Sequence, residues 1–291
     1  MDSPFFPDSF DAQAPVAVIA GRGDYPLHTV ASLRSHQVPL RLIAFEGETR
    51  PELTETFQPS ERALIKVGQV GRMLKALEKM GARYAIMAGQ ITPRRLFKGL
   101  HPDVKAVAML ARLKERNAES IFGAIAAEIE KLGVHLLDAR AGLEDHLASQ
   151  GFMHRAKHVP DNEALHQATS LVKELARLNI GQGAVFSRGT VLAVEAYEGT
   201  DAMLRRAGAF DAPDTLFVKT VKPAQDYRFD VPVFGLRTIA VMAEAGISSA
   251  ALEAGNTIML DKEAVIDEAC RQNITLLGYP PHDAPPRPEK G

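Results

Sequence analysis

The chain predicts two α/β domains, the first Rossmann-like with a mostly parallel sheet, the second α/β on a mixed sheet. Three observations carry this expectation. Short apolar runs alternate with stretches whose apolar residues recur every three or four positions, the pattern of strands and covering helices. A length of 291 residues suits two ordinary domains or one large one. The alternation lapses between Ala139 and Asp161, where Gly142, Gly151, several histidines and Pro160 crowd together, so a boundary is expected near residues 146–150.

The elements follow in order. Residues 1–15 hold three acidic residues, no basic one and no continuous apolar run, so they read as a disordered leader rather than a signal peptide. An N-terminal domain, residues 16–146, has strands expected at Val16–Ala20, Leu40–Phe45, Ala63–Val67, Tyr84–Ala88 and Val134–Leu137. Helical spacing covers Leu27–Ser35, Gln69–Met80 and Ile121–Leu132, with Gly81 and Gly133 placed as C-terminal caps of the last two. Asp103–Lys114 reads as an amphipathic surface helix, apolar at Val104, Val107, Ala108 and Ala111. A C-terminal domain, residues 150–279, opens with a long helix capped by Asp161 and reaching Leu178. Strands follow at Ala184–Ser187, Val191–Ala196 and Thr215–Val221, then a helix at Thr238–Ala245. The pattern closes with a strand at Thr257–Leu260, a helix at Lys262–Gln272, a strand at Thr275–Leu277 and a tail, residues 280–291.

Composition narrows the function. The 34 basic residues stand against 36 acidic ones, so the basic excess of a nucleic-acid binder is missing. A single cysteine, Cys270, leaves no internal disulfide and no cysteine-rich metal site; within its helical pattern it reads as a packed thiol. No uncharged window approaches membrane-spanning length, and a cytoplasmic protein is expected.

Two glycine turns follow strands in the first half. Gly21-Arg22-Gly23-Asp24 leads into a helix with proline in its first turn, a geometry that lets backbone and helix amides approach a phosphate. The third glycine of the dinucleotide fingerprint is missing. Gly89-Gln90 follows the next strand end, with Gln90 suited to a base or sugar edge and Arg94 and Arg95 to phosphate. In an open parallel sheet both turns fall at the carboxyl edge where ligands bind.

The densest chemistry lies in the second half. Asp226 and Asp230 lie four apart in a proline-bounded segment read as extended, so both carboxylates are expected on one face. Lys219, Lys222 and Arg228 add positive charge. Oxygen donors beside cations suit a magnesium ion and a diphosphate. Thr200 and Asp201, at the mouth of a helix, suit phosphate or sugar.

These segments resemble a known family. Gly181-Gln182-Gly183, Glu198-Gly199-Thr200-Asp201-Ala202-Met203-Leu204 and the run from Lys222 to Pro232 resemble the UDP-2,3-diacylglucosamine diphosphatases of lipid A biosynthesis, LpxI type, unrelated to the calcineurin-like phosphoesterases. The likeness runs from about Val16 to Gly278 and includes Val67-Gly68-Gln69 and Ala88-Gly89-Gln90. It implies Mg2+-dependent hydrolysis, with Mn2+ as a substitute, of a lipid-linked sugar nucleotide held between the two domains. The products would be UMP and 2,3-diacylglucosamine 1-phosphate. It further implies that Asp230 is the catalytic, metal-associated carboxylate, with Asp226 a second candidate ligand. Gly21, Gly23, Gly89, Gln90, Gln182, Thr200, Asp201, Lys219, Lys222 and Arg228 are then the expected substrate contacts. A peripheral location at the inner membrane, with transient contact, follows from such a substrate. A homodimer is left open.

The chain departs from the family pattern at Arg22, where a glycine is usual, at Gln90, where asparagine is usual, and at Asn117-Ala118, where consecutive aspartates are common. Glu119 is the substitute ligand if those aspartates hold metal. Two rivals remain: a non-catalytic sugar-nucleotide-binding sensor of the same fold, and an oxidoreductase, against which the broken fingerprint argues.

Overall fold

A computed structural model describes residues 3–91, 102–115 and 117–281. Arg94, Arg95 and nearly all of the tail lie outside the described residues. The chain divides into two compact units. One comprises Met1–Leu143 with Asp226–Asp230, the other Glu144–Gln225 with Val231–Gly291. The segment with both candidate metal-binding aspartates thus groups with the first unit, although the sequence pattern placed it in the second domain.

In chain order the first unit contains β1 (Val16–Ala20), α1 (Tyr25–Ser35), β2 (Leu40–Phe45), α2 (Pro51–Glu55), β3 (Arg62–Ile65), α3 (Val70–Lys79) and β4 (Tyr84–Ala88). After these come α4 (Val104–Ala111), α5 (Ala118–Glu130) and β5 (His135–Leu136). Every ladder is parallel, in the order β3-β2-β1-β4-β5. The winding reverses between β1 and β4, where open parallel sheets form their ligand crevice. Ala17, Ile19 and Ile43 pack against Met73 and Leu77 of α3, Met109 of α4 and Ile129 of α5. Helix α1 packs on β1, β2 and β4, with its buried Val30 and Leu33 outside that cluster, so both sheet faces are covered.

Capping explains where these helices begin. One carboxylate oxygen of Asp103 accepts from Ala106 N at 2.9 Å, while the other accepts from Gly71 N at 2.7 Å and Arg72 N at 3.2 Å. A single side chain therefore caps α4 and satisfies the first turn of α3. That bond sets the rotation of α4 and corrects the expected buried face. Ala106 and Met109 point inward, whereas Val104 and Val107 are 86% and 52% exposed. The helix is apolar on nearly every side, so periodicity alone could not select the face. Asn117 caps α5, accepting from Ser120 N at 2.8 Å while Ser120 Oγ accepts from Asn117 N at 3.2 Å. Asparagine caps as well as aspartate does, so position 117 has a local structural role.

The leader also differs from expectation. Phe6 stacks on Phe10, Phe10 packs on Tyr84 with ring centroids 4.8 Å apart, and Tyr84 Oη accepts from Asp11 N at 3.0 Å. Three phenylalanines within ten residues supply the apolar area that holds residues 3–15 down.

The second unit begins with a 3-10 turn (Glu144–His146), then β6 (Gly151–His154), α6 (Asn162–Arg177), β7 (Gly183–Ser187), β8 (Thr190–Val194), α7 (Thr200–Gly208) and β9 (Thr215–Lys219). It continues with β10 (Val233–Phe234), α8 (Leu236–Glu244), β11 (Ser249–Glu253), β12 (Ile258–Met259), α9 (Lys262–Arg271) and β13 (Thr275–Tyr279). The main sheet runs β6-β13-β11-β9-β7-β8, with β9, β11 and β13 parallel, β6 antiparallel to β13, β7 antiparallel to β9 and β8 antiparallel to β7. Strands β10 and β12 form a small parallel pair. Alternate residues divide the core. Val185, Phe217, Ala250 and Leu276 face α7, α8 and α9, whereas Ala184, Phe186, Leu216 and Leu277 face α6. Central β11 escaped the sequence reading because Ser-Ala-Ala-Leu-Glu is rich in helix formers; burial on both faces overrides that propensity. Cys270 is exposed rather than packed, because α9 turns Val265 and Ala269 inward. Among the described residues no helix is long and apolar enough to cross a membrane.

Helix α4 is tied to α5 by Lys105, whose ammonium lies 2.5 Å from Glu128; Lys131 lies 2.7 Å from the same carboxylate. The hydrogen bonds from Lys105, then Lys131, bring the Glu128 pKa down to about 2 from an ordinary 4.5. A depressed carboxyl stabilises the fold fully above its unfolded pKa and loses that contribution as pH falls through the folded value. Glu128→Gln is therefore expected to lower the urea midpoint at pH 7. The gap from wild type should shrink steadily as pH falls from about 5 toward 2. A gap independent of pH would remove the ion pairs from the account.

Candidate functional site

In the first unit the expected turns meet. Gly21 N donates to Ala88 O at 2.8 Å, Arg22 N to Gln90 O at 2.8 Å and Gln90 N to Arg22 O at 3.1 Å. A Cβ on Gly21 would lie 2.6 Å from Gln90 O, and one on Gly89, at φ +87°, 2.7 Å from Arg22 O. These two glycines are required by each other, because each turn seals the other at backbone distance. Gly23 differs: its φ of +96° demands glycine, but nothing lies within 4 Å. The turn is braced from the β2 side by Arg22–Glu48 at 3.2 Å and Arg50–Asp24 at 2.8 Å, which gives the departure at Arg22 a local partner.

The Asp226–Asp230 segment is a single helical turn, not the extended stretch expected. Asp230 N donates to Asp226 O at 3.0 Å. Arg228 reaches back to hold both Asp226 oxygens, from Nε at 2.9 Å and Nη2 at 2.7 Å, and forward to Glu130 of α5, from Nη1 at 2.7 Å. The Arg228 bonds hold the Asp226 carboxyl below the usual range. Three further contacts fasten the turn. Tyr227 O accepts from Ala139 N at 2.8 Å, Arg140 lies 3.5 Å over the Tyr227 ring, and Phe229 stacks on Phe122 of α5 at 6.0 Å. Asp230 sits part-buried at the end of this braced turn.

In the second unit strand register gathers a group at one sheet end. Gly183 pairs with Lys219, Leu252 with Lys219, and Ala184 with Val194. The residues beyond those strand ends therefore converge. Thr200 Oγ1 donates to Glu195 at 2.6 Å, and the buried Lys219 ammonium lies 3.3 Å from Thr200 Oγ1 and 3.8 Å from Glu195. Gly181 and Gly183 lie so close that a Cβ would come within 2.0 Å of Glu195 O and 2.9 Å of its carboxylate. Gln182 Nε2 donates to Gln225 at 3.2 Å, whose side-chain oxygen also accepts from Lys222 N at 2.9 Å. Asp201 turns away to Arg237 at 2.6 Å.

Below this group lies a buried carboxylate that the sequence did not disclose. Glu253, at the end of β11, accepts from Thr220 Oγ1 at 2.5 Å, Val221 N at 3.1 Å, Asn256 Nδ2 at 2.8 Å and the Lys173 ammonium at 3.3 Å. Lys173 also donates to Val221 O at 3.1 Å. The exit of β9, which carries Lys219 and Lys222, is thereby fixed. Glu253 lies in an alanine-rich run without polar neighbours, so only its burial marks it.

Fold and geometry define a two-unit α/β protein whose strand ends and turns carry glycine, carboxylate and lysine groups suited to an anionic ligand. Residues 15–146 match the N-terminal domain of the LpxI family and residues 149–277 its C-terminal domain. The chain is 32% identical over 288 residues to the UDP-2,3-diacylglucosamine pyrophosphatase LpxI of Caulobacter vibrioides, covering 93% of this chain and 99% of the relative. It belongs to the LpxI family.

Removing Glu253 leaves Lys173 buried without its counter-ion. Glu253→Ala is expected to cost about 3–5 kcal/mol in urea unfolding, the scale for breaking a buried pair from one side. A Lys173→Met, Glu253→Leu double variant should recover much of that loss. Equal loss in single and double variants would show that the ion pair is not the cause.

Proposed function

We propose that this chain hydrolyses the pyrophosphate bond of UDP-2,3-diacylglucosamine, giving UMP and 2,3-diacylglucosamine 1-phosphate, at the inner-membrane surface. A water oxygen bonds to one phosphorus, the bridging P–O bond breaks, and the bridging oxygen leaves with the other phosphate. Membership of the family across both domains supports the substrate class. The observation that carries the assignment of roles is the braced Asp226–Asp230 turn. Arg228 occupies both oxygens of Asp226, so Asp226 positions Arg228, and Asp230, which matches the last aspartate of the family motif, is the carboxylate assigned to a cation.

The donor set fits magnesium. Magnesium takes one or two carboxylates and completes its shell with phosphate and water oxygens, so Asp230 suffices from the protein. When bound, the ion supplies positive charge to the diphosphate oxygens. The protein residues orient and neutralise. The Gly23 turn and Gln90 offer backbone and amide groups to the nucleotide, and Lys222 adds charge to the diphosphate. Lys219 keeps Thr200 oriented at the N-terminus of α7, where the helix dipole favours an anion.

Purified protein incubated with UDP-2,3-diacylglucosamine and magnesium should release UMP, EDTA should stop the reaction, and manganese should restore it. Asp230→Ala should lower turnover at least about a hundredfold, the scale for losing a key electrostatic group. Near-normal turnover by that variant, or a full rate in EDTA, would sink the mechanism. Substrate binding without UMP release would favour a sensor instead.

A further inference from the structure

Two carboxylates lie at strand ends of the second unit, and their hydrogen bonding is unequal. An ionised carboxylate can accept about four hydrogen bonds. Glu253 fills that capacity with a hydroxyl, a backbone amide, a side-chain amide and an ammonium. Glu195, just beyond β8, accepts from Thr200 Oγ1 alone, at 2.6 Å on its Oε1. Its Oε2 is buried, and among the described residues nothing donates a hydrogen bond to it. Lys219 lies 3.8 Å from that oxygen, an ion pair without a hydrogen bond. A buried acceptor left so thinly partnered costs stability, so its retention calls for a role.

The chain makes room for this residue. Glu195 N donates to Gly183 O at 2.8 Å, which ties it to β7. A Cβ on Gly183 would lie 2.9 Å from Glu195 Oε2 and 3.0 Å from the Phe217 ring, and one on Gly181 2.0 Å from Glu195 O. The Thr200 hydroxyl has one proton, and Glu195 takes it. One lone pair of Oγ1 accepts from the Lys219 ammonium at 3.3 Å, and among the described residues no donor meets the other. With its proton committed, this hydroxyl is poor at donating to a phosphate oxygen. It is well placed to accept a proton from water while passing its own to Glu195.

We propose that Glu195 is the proton acceptor for the attacking water, reached through Thr200. The inference rests on the reading that the chain hydrolyses a pyrophosphate. As the water oxygen bonds to phosphorus, one of its protons passes to Thr200 Oγ1 and the Thr200 proton passes to Glu195 Oε1. The bridging P–O bond breaks, and its electron pair leaves on the bridging oxygen with the other phosphate. Glu195 returns its proton to solvent after the products depart. Lys219 keeps the hydroxyl turned toward Glu195.

Glu195→Gln keeps the shape and removes the acceptor. At saturating magnesium it should lower kcat about a hundredfold, the scale for a general base, with KM within about threefold. The fall of wild-type kcat toward low pH should be flattened in this variant. Thr200→Val removes the relay hydroxyl and should lower kcat by a similar factor. The double variant should fall no further, because residues acting as a unit are not additive. If Glu195→Gln does not fold, Thr200→Val decides by the same kcat and pH readings. A raised KM with kcat near wild type, or a fall toward low pH that persists in folded Glu195→Gln, would make the carboxylate a holder of Lys219 and overturn the proposal. UMP release by wild type tests hydrolysis separately. Turnover with either of those results overturns the relay and leaves the activity standing, whereas no turnover by wild type overturns both.

Discussion

A carboxylate taken out of water is among the most expensive groups a fold can hold, and Glu253 is almost wholly buried at the end of a central strand. It is tolerated because a hydroxyl, a backbone amide, a side-chain amide and an ammonium all donate to it. Removing its charge would leave Lys173 equally stranded. The two residues therefore constrain each other, and through Thr220 and Val221 they constrain the path of the chain beyond β9. Lys219 and Lys222 inherit their positions from this constraint. A buried ion pair thus determines where neighbouring charges are presented.

The Asp226–Asp230 turn applies the same logic nearer the surface. Arg228 divides its guanidinium between Asp226 and Glu130, which neutralises its charge and stiffens the turn. Backbone, ring-stacking and cation–π contacts from Ala139, Phe122 and Arg140 add further restraints. Two aspartates equivalent in sequence become unequal: one orients an arginine, and the other lies one helical turn further along. The turn groups with the first unit although its flanking residues group with the second. Its contact partners come from residues 122–140, far away in sequence.

The glycine turns show a related economy. Gly21 and Gly89 are glycines because two strand-end loops pack backbone to backbone, whereas Gly23 is a glycine because of its own φ. A glycine-rich turn at a strand end need not mean that every glycine faces a ligand. Arg22, the departure from the usual pattern, is absorbed by Glu48 from the adjacent loop.

Several elements were legible from sequence because their signals are local. Strands β1, β2 and β4 occupy the residues that apolar runs indicated, since strands buried on both faces must be apolar throughout. Asp161 caps α6 through a bond to Ala164 three residues away, a signal contained within one turn. The charged segment between Lys219 and Asp230 stood out because a core strand would not carry it. Other features were hidden because their partners are distant. Alanine-rich β11 became a strand through its neighbours, α4 chose its buried face through Asp103 and α3, and Cys270 was left exposed by the residues α9 turned inward. By itself the sequence determined the elements with strong local signals, among them β1, β2, β4 and α6, and the glycine turns at strand ends. Only the tertiary structure decided which aspartate is tied to an arginine and which glycines serve packing. The reason is physical: burial leaves a periodic trace along a chain, whereas pairing between residues a hundred positions apart leaves none.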